Sequence, residues 1–288
     1  MINCLRATVA IAAASWLCIS HAAESLKTGG PYVPTPQIVV DQMLRFANVG
    51  EKDFVIDLGS GDGVIVLTAA RDMKASGVGI EIDEELVALS NDSARKLGVA
   101  NRVQFVQQDI FKADLSKASV LTLYLLPSMM SNLRSKVFNE LKPGTRVVSH
   151  DYYFGEWTAD DQITFDVPEK EKINGVPKAT IYQWFVPAKI AGTWEVKVAG
   201  GETYELALKQ RYQNVDASVA IGGKSVRPQH VTLRGSEFSM ALSDGKGVAR
   251  FSGRVSGNTM EGAVDVPGSK APARWSATRT ATASVMAD

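Results

Sequence analysis

The chain has 288 residues, 45% of them hydrophobic, and its 31 lysines and arginines balance its 31 aspartates and glutamates. A length and composition of this order hold one large core or two modest ones and exclude a disordered or fibrous chain. Zero net charge excludes bulk attraction to nucleic acid or to an acidic membrane surface, so no nucleic-acid partner is expected.

Residues 1–22 read as a secretory signal peptide: Arg6, an apolar run from Ala7 to Ile19, then Ser20-His21-Ala22 as a cleavage site. The expectation is an exported, periplasmic or envelope-associated protein; an uncleaved anchor or a mitochondrial-type presequence is the alternative for the same residues. Cys4 and Cys18, the chain's two cysteines, both lie in this segment. The mature chain is therefore expected to hold no disulfide, cysteine nucleophile or thiolate-bound metal. With His150 and His230 the histidines beyond it, no histidine-rich metal centre is expected either.

From residue 23 to 188 apolar strands alternate with amphipathic segments, the pattern of a sheet with helices on its faces. Thr35 as N-cap and Pro36 at the first helical position begin a helix that buries Val39, Met43, Phe46 and Ala47. "DFVIDL" is a buried strand, "GVIVLTAARDM" a helix and "GVGIEI" a second strand. "EELVALSNDSARKLG" is a helix ended by Gly98. "RVQFVQQ", "SVLTLYLL" and "TRVVSH" are further strands, with a helix over "SMMSNLRSKVFNEL" before Pro143-Gly144. "QITFDV" and "ATIYQWFV" form an antiparallel pair closing the sheet, joined by "PEKEKINGVPK", which leaves no room for a packed helix.

Residues 189–280 are of another kind: short runs such as "TWEVKV", "YELALKQ", "EFSMAL" and "ARFSGRV" alternate apolar and polar positions between glycine turns. They predict a small antiparallel β-barrel or sandwich, with Trp194, Tyr204, Phe238, Phe251 and Trp275 filling its core. Residues 281–288 are expected as a flexible tail.

The chemistry concentrates in "VIDLGSGDG". A strand-loop-helix junction exposes backbone N–H groups to a ligand, and glycine admits close approach. Here Gly59, Ser60, Gly61 and Gly63 follow Asp57, whose carboxylate repels a dinucleotide pyrophosphate and pairs with a cationic amine. The second strand ends in Glu81, placed to accept two ribose hydroxyls, and the third in Asp109, placed to reach an adenine amine. Three carboxylates at three successive strand tips, against the alternative of ordinary turn and cap residues, point to S-adenosylmethionine as cofactor.

Taken together, "PYVPTP", "DLGSGDGVIVLTAA", "GVGIEID", "LYLLPSMM", "LKPGTRVVSHDYYF" and Trp157 resemble the class I, seven-stranded methyltransferases. Within these they resemble the lysine methyltransferases of the ATP synthase c-subunit and the adenine nucleotide translocase. The resemblance implies a Rossmann-like α/β fold over about residues 31–157 and methyl transfer, with a protein lysine as acceptor. It implies that Tyr32, Val33 and Thr35 lie over the cofactor's methionine end, and that Leu126, Pro127 and Ser128 line the mouth where the acceptor enters. Val64 departs from the basic residue usual in the family after the glycine loop.

Methyl transfer from a sulfonium needs orientation and exclusion of water rather than a nucleophilic side chain. The acceptor amine must arrive neutral. Tyr32, Tyr124, Ser128, His150 and Asp151 are the candidates for contact or proton removal; His150 titrates near neutrality in its unperturbed state. Tyr152, Tyr153 and Phe154 are candidates for an aromatic rim around a methylated amine. The alternatives are an exported, non-catalytic binding module whose β domain contacts an envelope partner, and a small-molecule methyltransferase.

Overall fold

The computed structural model describes residues 30, 32–201, 203–221, 224–243 and 247–286. The expected signal peptide and both cysteines lie outside the described residues, as do the last two residues of the expected tail.

The first sheet has seven strands: β1 (Phe54–Leu58), β2 (Ser76–Glu81), β3 (Val103–Gln107), β4 (Val120–Leu123), β5 (Arg146–His150), β6 (Asp161–Asp166) and β7 (Lys178–Phe185). Their order is β3-β2-β1-β4-β5-β7-β6. The first five run parallel, and β7 pairs antiparallel with both β5 and β6. The strand order reverses between β1 and β4, so a crevice opens at their carboxyl ends. Burial of Val55, Ile56 and Leu58 in β1 follows from its apolar run and its place in mid-sheet, and Asp57 is buried between them.

Helices α1 (Gln37–Phe46), α2 (Val64–Met73), α3 (Glu84–Lys96) and α4 (Pro127–Glu140) cover the sheet. Val39, Val40, Met43 and Leu44 of α1 are buried with Ile65 and Ala69 of α2 on one face. Met130, Leu133, Val137 and Phe138 of α4 pack on the other. Pro36, not Thr35, is the N-cap of α1, with no side-chain cap bond; the carbonyl of Pro36 accepts from Val39 and Val40. A further difference is α5 (Glu169–Asn174), a short helix in the connection read as having no room for one. It fits because a single turn and a half needs only one anchor, the buried Lys170.

The second sheet is antiparallel, with nine strands in the order β11-β10-β9-β8-β16-β15-β14-β13-β12. They are β8 (Gly192–Val198), β9 (Thr203–Arg211), β10 (Asn214–Ile221), β11 (Lys224–Val226), β12 (Gln229–Arg234), β13 (Glu237–Ser243), β14 (Val248–Ser256), β15 (Thr259–Asp265) and β16 (Ala273–Thr282). The sheet curls into a half-barrel. Its concave side is filled: Trp194, Leu206, Phe238, Met240, Phe251 and Trp275 form one buried cluster, with Tyr204 half-buried against it. Trp194 Nε1 donates to Ile190 O and Trp275 Nε1 to Ser252 O and Ala263 O, so both indoles are satisfied inside. Within residues 281–286, β16 continues to Thr282, and Met286 N donates to Gln210 O at 3.0 Å.

Candidate functional site: an acidic cofactor cavity at the strand ends

A cavity of about 650 Å³ opens at the carboxyl ends of β1 to β4. Among the described residues that line it are five carboxylates, Asp57, Asp62, Glu81, Asp83 and Asp109, against one cation, Lys112. That balance favours a positively charged ligand and disfavours a pyrophosphate.

Asp57, next to last in β1, has its carboxylate buried, accepting from Thr122 Oγ1 of β4 at 2.7 Å. Burial pushes its pKa up to about 7; the Thr122 bond opposes the rise, and the charges of Glu81 and Asp62 add to it. Glu81 Oε2 accepts from Gly61 N at 2.9 Å, and Oε1 from Ile82 N and Asp83 N at 2.7 and 3.0 Å. Asp109 closes the 3₁₀ turn Ile110–Lys112 by accepting from Phe111 N at 2.9 Å.

Four of the loop's own amides are already engaged. Gly59 N and Ser60 N donate to Ile80 O, Gly61 N to Glu81, and Gly63 N to Ser60 O. This is a rigid turn held by β2 and not a phosphate cradle. Gly61 lies at φ +53°, and a Cβ there would come within 2.6 Å of the Tyr32 ring. Tyr32 thus packs directly on the loop, beside Asp62; burial and that carboxylate push its phenol well above the ordinary value.

Of the residues singled out from the sequence, Tyr32, Val33, Thr35, Asp57, Gly59, Ser60, Gly61, Glu81, Asp109, Tyr124, Leu126 and Tyr152 line this one cavity. Gly63, Pro127, Ser128 and His150 do not. Gly63 turns the loop into α2. Pro127 and Ser128 sit exposed on the first turn of α4, between the lining residues Leu126 and Met129. His150, expected at the mouth as a group titrating near neutrality, is fully buried behind Tyr124, with ring centroids 4.1 Å apart. Burial pushes its pKa down to about 4; Asp151 opposes the fall and Lys170 adds to it, so the ring is neutral at neutral pH. Lys170 Nζ lies 3.2 Å from His150 Nε2, pairs with Asp151 and donates to Lys178 O.

Thr122, Asp62 and Lys170 escaped the sequence reading. A threonine inside the apolar run "VLTL" was the available signal for the first.

The donor set fits S-adenosylmethionine. The carboxylates of Asp57 and Asp62 match a ligand with cationic groups, and Glu81 and Asp109 line the same cavity with further acceptors. Residues 57–161 match the family model described as the ANTKMT methyltransferase domain. A protein-lysine N-methyltransferase of Saccharolobus islandicus is 43% identical over 134 residues, covering 46% of this chain and 83% of that protein. The ATP synthase c-subunit lysine N-methyltransferase of Xenopus laevis is 32% identical over 130 residues, 45% of this chain and 57% of that protein. Thus the chain spans little more than half the length of that vertebrate relative. A solved RNA methyltransferase from Salinibacter ruber, in complex with S-adenosyl-L-homocysteine, is 49% identical, with a TM-score of 0.49, covering 55% of this chain and 96% of that one. With its seven-stranded sheet, its acidic cavity, the family-model match and the Saccharolobus relative covered over 83% of its length, the chain belongs to the ANTKMT-type family of class I methyltransferases, and S-adenosylmethionine is its cofactor.

Proposed function

We propose that the protein methylates the side-chain amine of lysine in a protein acceptor. The observation that carries this reading is the aromatic side of the cavity, where Tyr32, Tyr124 and Tyr152 join Leu126 beside the acidic end. Bound S-adenosylmethionine supplies a methyl group on a cationic sulfur. Asp57 and Asp62 hold the cationic end, Glu81 the ribose hydroxyls and Asp109 the adenine amine. Tyr32 contacts the acceptor from the loop side. Tyr124 and Tyr152 form a wall that strips water from the acceptor amine, which disfavours its charged form so that its proton leaves to solvent at the mouth, and the more exposed Tyr32 ring borders the loop side.

Neither Tyr32 nor Tyr124 serves as base. Burial and the charge of Asp151 push Tyr124 up to about 12, so it donates and accepts as a neutral phenol. His150 stays neutral behind it and holds its ring in place. Pro127 and Ser128, on the outer rim, meet the acceptor chain rather than its amine. The lysine acceptor is supported by the names of the relatives, which are lysine methyltransferases. Family membership leaves the non-catalytic module without support.

Tritiated methyl transfer to whole-cell and membrane protein extracts, followed by acid hydrolysis, tests the acceptor. The expected label is methyllysine, lost in Asp57→Ala and Glu81→Ala; label in another amino acid or in a small molecule contradicts it. Export belongs to the same proposal, supported by the composition of residues 1–22. N-terminal sequencing of the native protein should start at Ala23, and an intact Met1 contradicts cleavage.

A further inference from the structure

The turn joining β9 to β10 reaches out of the second sheet and into the first half of the molecule. Tyr212, at φ +52°, is 1% exposed and belongs to the same core as Leu133 and Phe138 of α4. Its ring stacks on Trp157, centroids 5.4 Å apart and planes 5° from parallel, and meets Phe138 edge-on at 5.4 Å. On either side of it, Arg211 pairs with Glu156, and Gln213 Nε2 donates to Thr158 O at 2.7 Å. The last residue of β9 and the two residues of the turn therefore hold three consecutive residues of the segment between β5 and β6, 156 to 158.

That segment begins at the site. Tyr152 lines the cavity and is followed by Phe154, whose ring stacks on Trp157 at 5.5 Å and whose carbonyl accepts from Arg134 of α4 at 3.1 Å. The carbonyl of Tyr152 accepts from Ser149 Oγ, so one rigid stretch connects cavity wall and docked turn. None of these contacts reaches the loop at residues 59–63 or the carboxylates of β1 and β2. The matched family domain ends at residue 161, so the turn lies outside it.

We propose that the β9–β10 turn is a clamp on the acceptor side of the site, with Tyr212 as a positioning residue. It fixes residues 151–160, and through them Tyr152, without acting on cofactor binding. The second sheet thereby has a task in methyl transfer: it shapes the wall that receives the acceptor. The clamp rests on the acceptor entering beside Tyr152.

The test uses full-length Tyr212→Ala, Tyr212→Phe and Gln213→Ala. Tyr212→Ala should raise hydrogen exchange in residues 151–160 about tenfold while residues 54–58 and 120–123 keep wild-type exchange. The affinity for S-adenosyl-L-homocysteine, by calorimetry, should stay within about twofold of wild type. Tyr212→Phe keeps the stacked ring and should exchange at least about threefold more slowly in this segment than Tyr212→Ala; Gln213→Ala should give about threefold faster exchange than wild type, confined to the same segment. With an extract protein that wild type labels, Tyr212→Ala should raise its KM and leave that for S-adenosylmethionine unchanged. Unaltered exchange in 151–160, an equal rise in 54–58, or a parallel loss of S-adenosyl-L-homocysteine affinity overturns the clamp. If Tyr212→Ala does not fold, Gln213→Ala decides by the same criteria. If wild type labels no protein, the lysine reading fails while exchange still decides the clamp.

Discussion

Asp57 and Lys170 are both buried charges, and each makes a separate measurable difference. For Asp57, burial lifts the folded-state pKa from 3.8 to about 7. The folded chain thus holds this proton more tightly than the unfolded chain, so the group's stabilising contribution is full below about pH 4 and is lost as pH rises through 7. A cationic ligand favours the ionised form, and its affinity changes in the opposite sense. S-adenosylmethionine binding should strengthen about tenfold from pH 6 to pH 8 by calorimetry, and Asp57→Asn should flatten that dependence. His150, pushed down to about 4, does not titrate in this window, so a flat wild-type profile would sink the assignment to Asp57. Lys170 is 1% exposed and holds the partly exposed Asp151. Removing the ammonium leaves a carboxylate without its partner, so Lys170→Met should cost about 2–3 kcal/mol, after discounting for the solvent that reaches Asp151. A urea midpoint equal to wild type contradicts this. Asp57 was legible because a carboxylate before a glycine turn has few other uses; Lys170 was not, because "EKEK" reads as a solvated face and burial of one lysine depends on what folds over it.

The loop between β1 and α2 carries its own prediction, because Gly61 combines a left-handed backbone with a tyrosine ring pressed against it. Gly61→Ala adds a Cβ that must displace Tyr32, whereas Gly98→Ala, at φ +70° after α3, meets nothing within 4 Å. Both should lose about 1 kcal/mol from the backbone alone. Only Gly61→Ala should also weaken S-adenosylmethionine binding, by about tenfold or more, since the ring and the Glu81 bond sit on that residue. Equal affinities in the two variants would show that the Tyr32 contact is idle. Long elements were readable from periodicity: β1, α2, β2, α3 and α4 lie within a residue or two of their apolar patterns. Short ones were not. Six-residue α5 and three-residue β11 are too brief for a period to show, and Pro36 as N-cap depends on the path of the chain before it.

Docking of the two sheets was invisible in the sequence, because Tyr212 sits in a turn, where an aromatic residue reads as exposed or as local packing. Its burial with Trp157 and Phe138 makes the two halves thermodynamically one. Each ring buries roughly 150–250 Å², which at about 25 cal/mol/Å² places on the order of 10 kcal/mol in the cluster. Each half covers part of that area by itself, yet even a third, about 3 kcal/mol, disfavours a half-unfolded state more than a hundredfold. The ion pairs Arg211–Glu156 and Arg234–Asp161 lie across the same junction but are half-exposed and add little. Differential scanning calorimetry of the full chain should therefore show one transition, insensitive to moderate salt, with near-UV signals from both tryptophan-bearing cores lost together. Tyr212→Ala should separate it into two, the filled half-barrel around Trp194 and Trp275 melting on its own. Two resolved transitions in wild type would mean that the sheets are only tethered, and the acceptor wall would then owe nothing to the second sheet.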